Sequence, residues 1–168
     1  AASQAKYAAA KADGFFAGEI LPISVPTGRK TPPQLVADDE HPRPASTEDA
    51  LARLKPLFAG GVVTAGNASG LNDGAAAVVV MSDTRAAELG IAPLARIVSS
   101  GVSALNPEVM GLGPVDAIRQ ALDRAGLTPD DIDLFEINEA FAAQVLPSAD
   151  DIGIDLDKLN VNGGAIAL

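Results

Sequence analysis

Cysteine is missing from all 168 residues. Its absence excludes a disulfide framework, a thiolate zinc site and a cysteine nucleophile within this chain. Tryptophan is missing too, and aromatic residues make up only 4% of the sequence, so the core must be built from Ala, Val, Ile and Leu. The one histidine, His41, lies in "DDEHPRP" without a second ligand at metal spacing. It reads as a surface residue, and no metal is expected. No apolar run reaches the about 18 residues of a membrane span. Nor does a basic region followed by an apolar stretch open the chain, so a soluble, cytoplasmic protein without a signal peptide is expected. Positive charge is scarce: 12 Lys and Arg stand against 22 Asp and Glu, for a formal charge of −10. Residues 61–168 carry all of that imbalance, which disfavours nucleic acid and anionic membrane as partners. Residues 1–60 are balanced, so an anionic ligand is expected near Arg29, Lys30, His41 and Arg43.

What is present is a 48% apolar composition, enough for a real core. The opening "SQAKYAAAKADG" predicts a helix capped by Ser3 and stopped by Gly14. "EILPISVP" must run extended, because Pro22 and Pro26 forbid a helix. Residues 27–45 carry five prolines or glycines and read as an irregular excursion. "STEDALARLKPLF" predicts a helix, with Ser46 and Asp49 as a capping box and Leu51 and Leu54 on one face. From residue 61, apolar stretches and helical patterns alternate. "GVVTAGNASGLNDG" is a glycine-rich loop. "AAAVVVM", "ARIVSSGVS" and "DIDLFEIN" predict strands, the first buried on both faces. "SDTRAAELG" predicts a short capped helix, and "PVDAIRQALDRAG" an amphipathic one with Pro114 at its first position and Gly126 just past its end. "EAFAAQVL" opens another helix, and "LNVNGGAIAL" approaches a further strand or tight turn. The order argues for an α/β architecture, a mixed sheet with helices on its faces.

Three places could carry chemistry, and each also has a plain structural reading. Asn138, between an apolar strand and an alanine-rich segment, could simply cap a helix, with Glu139 at the positive end of its dipole. The alternative is that it presents a carboxamide to a ligand, since α/β folds bind ligands at strand C-terminal ends; that amide, or a water it holds, could face a developing oxyanion. The loop "TAGNASG" could be a turn, or a surface where small residues admit a ligand's chain and Ser69 donates to an amide. It lacks the spacing of a phosphate-binding loop. In "VNGGAIAL" the paired glycines could make a tight turn or let the backbone approach a reacting group.

Taken in order, "VTAGNASGLNDGAAAVVVMS", "MGLGPVDAIRQAL", "EINEAFAAQ" and "NVNGGAIAL" closely resemble the thiolases, the acetyl-CoA acetyltransferases and 3-ketoacyl-CoA thiolases. The resemblance covers nearly the whole chain. It implies a partial thiolase-like α/β fold: the end of an inserted loop domain over 1–60, the last part of the N-terminal half over 61–90, and the opening of the C-terminal half over 91–168. It further implies an acyltransferase that cleaves or condenses acyl-CoA thioesters, with acetyl-CoA C-acetyltransferase ahead of longer-chain thiolases. The family's nucleophilic cysteine, its Gly-His-Pro stretch and its second cysteine all fall outside these residues. The segment alone is therefore expected to be inactive, and the alternative is a non-catalytic coenzyme A-binding or structural piece. By resemblance, Asn138 holds a water that, with a histidine supplied from elsewhere, stabilises an enolate oxyanion. Phe141 and Met110 wall the acyl and pantetheine region, Ala65 and Ser69 touch pantetheine, and Arg43 stacks on the adenine end of coenzyme A. Asn162, Gly163 and Gly164 shape the turn towards the absent histidine. Coenzyme A and acetyl-CoA are implied as substrates, with no tightly bound cofactor. The partners implied are acyl-CoA, the remainder of a thiolase chain, and further subunits in a homodimer or homotetramer. Unpaired apolar strands should leave core surface exposed.

Overall fold

A computed structural model describes residues 1–168 throughout. Helix α1 (Ala2–Ala12) opens the chain and gives way at Gly14, which takes a left-handed φ of 77°. Ser3 does not cap α1; it lies inside the helix, buried, and its hydroxyl serves a distant partner. A 3₁₀ turn at Phe15–Gly18 leads to a small antiparallel hairpin of β1 (Ile23–Val25) and β2 (Gln34–Val36), in which Ile23 faces Val36. The expectation of an irregular excursion over 27–45 therefore needs correction. "QLV" supplies a second strand, because its apolar and β-branched residues pair with "ISV" in antiparallel register.

Helix α2 is only five residues, Glu48–Ala52. Its cap is Thr47, whose hydroxyl accepts the Ala50 N–H, not Ser46. Leu51 and Leu54 do share a face, which packs over Gly66: a Cβ there would sit 2.5 Å from a methyl of each leucine. Helix α3 (Asp83–Glu88) is capped by the Ser82 hydroxyl and ends at Gly90, φ 66°. Helix α4 (Gly113–Ala125) follows a 3₁₀ stretch at Pro107–Leu112 and ends at left-handed Gly126, with Pro114 one residue inside its start. Helix α5 spans Ala142–Ile152.

The three predicted strands form no regular ladders. Residues 75–81 and 95–103 have no strand partner in this chain, and their apolar side chains stand open, with Val78 86% and Ile97 74% exposed. A strand persists through its neighbours' hydrogen bonds, so apolar sequence alone does not make one. The 95–103 segment still has one covered side: Ser99 and Ser103 hydroxyls donate to the carbonyls of Ala121 and Gly113 on α4 and its start. The third segment has a single parallel bridge, Phe135 to Leu159. The core lies around it. Val115, Phe135, Ile137, Val145, Ala149, Ile152, Ile154 and Leu159 form one buried cluster between α4, α5 and the 135–159 pair.

Candidate functional site

The Phe135–Phe141 segment is bridged at both ends and exposes Asn138 between buried neighbours. Phe135 donates its N–H to the Lys158 carbonyl at 2.9 Å, and its own carbonyl accepts from Asn160 N at 2.8 Å. At the far end, Ala68 bridges Phe141. Ser69 N donates to the Ala140 carbonyl (3.1 Å), and Ala142 N donates to the Asn67 carbonyl (2.8 Å). The loop "TAGNASG" is thereby stitched directly onto "NEAF", across more than seventy residues of sequence. Asn67 shapes this loop from within: its Oδ1 accepts Thr64 N–H and its Nδ2 donates to the Val62 carbonyl.

Asn138 lies between these anchors, exposed, and its side chain makes no hydrogen bond to the protein. It is not a helix cap. Helix α5 starts at Ala142 with Phe141 as its N-cap residue, and no side chain caps it. The chain first makes a tight turn in which Ala140 N donates to the Asn138 carbonyl at 3.0 Å. The Phe141–Ala68 bridge holds Phe141 extended (φ −149°, ψ 145°) and delays the helix until the next residue. Asn138 lines a hollow of about 310 Å³ together with Gly101, Glu136, Ile137 and the α4 residues Pro114, Ala117, Ile118 and Ala121. The Glu136 carboxyl there titrates above its ordinary range, raised first by partial burial and then by Glu139, with Lys6 opposing.

Glu139 behaves differently from its neighbour. It is buried, and it is not placed as a helix-dipole partner. Its Oε2 accepts from the Ser3 hydroxyl (2.7 Å) and from Ile166 N (3.1 Å), and its Oε1 from Asn160 Nδ2 (3.3 Å). A buried carboxylate is costly unless such donors surround it. The glycine pair "GG" is explained by this packing. A Cβ on Gly164 would lie 2.5 Å from the Glu139 carboxyl carbon. Gly163, with φ 87°, passes so close to α1 that a Cβ would lie 2.8 Å from the Ser3 carbonyl oxygen.

Of the other predicted residues, Ser69 and Phe141 meet Asn138's segment through the bridge. Ala65 is exposed, in the turn that precedes the Ala68 bridge. Met110 is exposed on the 3₁₀ stretch, and its neighbour Gly111 packs on Gln144 in the first turn of α5. Arg43 stands apart. Its guanidinium Nη1 donates to the carbonyls of Glu40, His41 and Pro42, and its backbone N–H to Gln4 Oε1. The link back to the site is His41, which is half-buried: a Cβ at Gly70 would lie 2.6 Å from its ring. The reading of His41 as a plain surface residue is corrected by that packing. A second hollow, of about 400 Å³, lies between α1 and the 39–44 loop, lined by Tyr7, Lys11, Asp39, Pro42 and Pro44 among others. The Tyr7 hydroxyl donates to Asp39 at 3.3 Å, and its pKa is raised, first by burial.

The sequence reading missed Ser3, Glu139 and Asn160 as members of the site's frame. The signal available was an acid and an asparagine within otherwise apolar stretches, "FEINEAF" and "LNVNGG". No group of His, Cys, Asp or Glu is placed to hold a metal ion. No helix is long and apolar enough to cross a membrane.

Comparison with known proteins identifies the family. The family described as "Thiolase, N-terminal domain" matches residues 1–84, and "Thiolase, C-terminal domain" matches 91–168. The acetyl-CoA acetyltransferase of Thiocystis violacea is 52% identical over 169 residues, covering 100% of this chain and 43% of its own length. Human mitochondrial 3-ketoacyl-CoA thiolase, solved in complex with CoA, superposes with a TM-score of 0.91 at 47% identity, covering 99% of this chain and 41% of its own. The acetyl-CoA acetyltransferase of Bacillus anthracis gives 0.93 at 46% identity, with 99% and 42% covered. The chain thus spans less than half the length of these relatives. With both halves of the family represented along it and the fold shared over its whole extent, the chain belongs to the thiolase family.

Proposed function

We propose that these residues are the part of a thiolase-type acyltransferase that supplies an oxyanion-stabilising carboxamide and part of the coenzyme A surface. The observation that carries this is Asn138: an exposed amide without a protein partner, lining a hollow, held between two anchored ends of its segment. The reaction is thiolysis of a 3-ketoacyl-CoA. Its Cα–Cβ bond breaks, the shortened acyl group passes to the sulfur of an incoming CoA, and acetyl-CoA leaves after its enolate takes up a proton. The reverse is a Claisen condensation. The enolate's negative oxygen needs hydrogen-bond donors placed in advance, and Asn138 provides one, directly or through a water. The attacking thiolate comes from outside residues 1–168, which contain no cysteine.

Substrate contacts follow the same reading. Ala65 and Ser69 offer a small-residue surface to pantetheine. Phe141 and Met110 flank the acyl region. Arg43, its Nη1 tied to the 40–42 carbonyls, presents a held plane for stacking on adenine. No tightly bound cofactor takes part. Residues 1–60 correspond to the end of a loop domain, 61–90 to the close of the first half and 91–168 to the opening of the second, with assembly as a homodimer or homotetramer.

The test is turnover of acetoacetyl-CoA plus CoA to two acetyl-CoA by the complete polypeptide that carries this segment. Turnover is expected there and none from residues 1–168 alone. A complete polypeptide that binds CoA but never exchanges acyl groups would favour the coenzyme A-binding reading instead.

A further inference from the structure

We propose that Asn160 and Glu139 are positioning residues that aim the Asn138 carboxamide, and that they do so as one unit. The inference rests on the role given to Asn138 above. Asn160 is the one non-glycine residue with a left-handed backbone, φ 46°, and it is 3% exposed. That conformation is uncommon outside glycine. It lets the side chain do what a neighbouring strand's backbone would do. Oδ1 accepts the Ile137 N–H at 2.8 Å, while Nδ2 donates to the Ile137 carbonyl at 2.9 Å. The same Nδ2 reaches Glu139 Oε1 at 3.3 Å. One amide therefore grips the residue before Asn138 by its backbone and the residue after it by its side chain.

The second grip is reinforced from elsewhere. Glu139 Oε2 holds the Ser3 hydroxyl and the Ile166 N–H, and Ser3 Oγ in turn accepts from Gly164 N at 3.0 Å. Alternation along an extended segment turns Ile137 and Glu139 to the buried side and Asn138 to the open one; both neighbours are buried and Asn138 is exposed. With both neighbours clamped, the position of the Asn138 backbone and the direction of its Cα–Cβ bond are set before any ligand arrives. A hydrogen-bond donor for a developing charge works through such prior placement, and a displacement of about 1 Å can cost roughly 10²-fold in rate. Helix α5 cannot supply this control, because it starts only at Ala142.

The test uses the complete polypeptide. Asn160→Gly removes the amide and keeps a residue that accepts positive φ. Asn160→Asp keeps the acceptor for Ile137 N–H and sets a second carboxylate against Glu139. Asn160→Asp combined with Glu139→Gln returns a donor–acceptor pair to that contact. In acetoacetyl-CoA thiolysis, Asn160→Gly should lower kcat about 10- to 100-fold with KM within about 2-fold. The Asn160→Asp/Glu139→Gln pair should recover at least about 3-fold over Asn160→Asp. Most tellingly, Asn160→Gly in an Asn138→Ala background should cost nothing further, because the group it aims is gone. Fully additive losses, or a raised KM with kcat unchanged, would overturn the proposal. If the wild-type polypeptide performs no thiolysis, the functional reading fails separately. The clamp is then judged by amide hydrogen exchange: protection at Ile137 N–H should fall in Asn160→Gly, and unchanged protection overturns it.

Discussion

Two stretches of similar composition meet opposite fates in this molecule. Residues 75–81 and 95–103 are rich in Val, Ile and Ala, yet Val79 is 85% and Val102 80% exposed. Residues 132–154 carry the same kinds of side chain, and Phe135, Ile137, Val145, Ala149 and Ile152 are all buried. Hydrophobicity does not separate them; partners do. The second stretch has α4 and α5 against it, a bridge to Leu159 and an asparagine acting as a substitute strand. The first has α4 against one side of residues 99–103 and no ladder. The apolar side chains of the first stretch therefore stand open, although its composition resembles that of the second.

The contrast can be broken most directly by truncating one residue in each region. Phe135→Ala should cost about 3–5 kcal/mol, as for a buried aromatic. Val79→Ala should stay within about 0.5 kcal/mol, as for a surface site. Equal shifts in denaturant midpoint would mean that residues 75–81 are packed after all. A smaller effect sharpens the comparison inside the 95–103 segment. A Cβ at Gly101 would overlap the Ala117 carbonyl oxygen and lie 2.9 Å from Ala121 N. Gly101→Ala should therefore cost about 1–3 kcal/mol by overpacking, and a neutral result would detach the segment from α4.

The smallest effect is electrostatic. The Glu136 carboxyl is raised in the folded chain, first by burial and then by Glu139. The fold thus favours its protonated form, and stability declines as pH rises from the ordinary carboxyl range through the raised value. Glu136→Gln should increase the unfolding midpoint at neutral pH, and the gap should close as the solution is acidified below about pH 4. A gap that widens on acidification would reverse the assigned cause.

What could be read from the chain in advance was mostly local. Pro114 and Gly126 mark α4, Ser82 and Gly90 bracket α3, and Gly14 ends α1, because caps and left-handed glycines act within a few residues of themselves. Asn138 was legible as a junction, though its capping role was not real: whether an asparagine caps depends on where the helix starts, and the bridge from Ala68 moves that start to Ala142. The frame of the site was not legible. Ser3 looks like a helix cap by position, yet its hydroxyl bonds a carboxylate 136 residues away. Asn160 looks like part of a turn, yet its amide completes a strand 23 residues back. Such pairings are set by the tertiary fold and leave little trace in spacing. The strands predicted over 75–81 and 95–103 are missing for the complementary reason. Period and composition report a wish to be buried, and a ladder needs a second strand to grant it.

The central claim is that the Asn138 amide stabilises a growing negative charge and does little for the fold. The decisive measurement is the thiolysis rate of Asn138→Ala in the complete polypeptide, set beside its denaturant midpoint. Turnover is expected to fall about 10²- to 10³-fold, the loss typical of one oxyanion donor, while the midpoint stays where it was. Turnover equal to wild type would contradict the account.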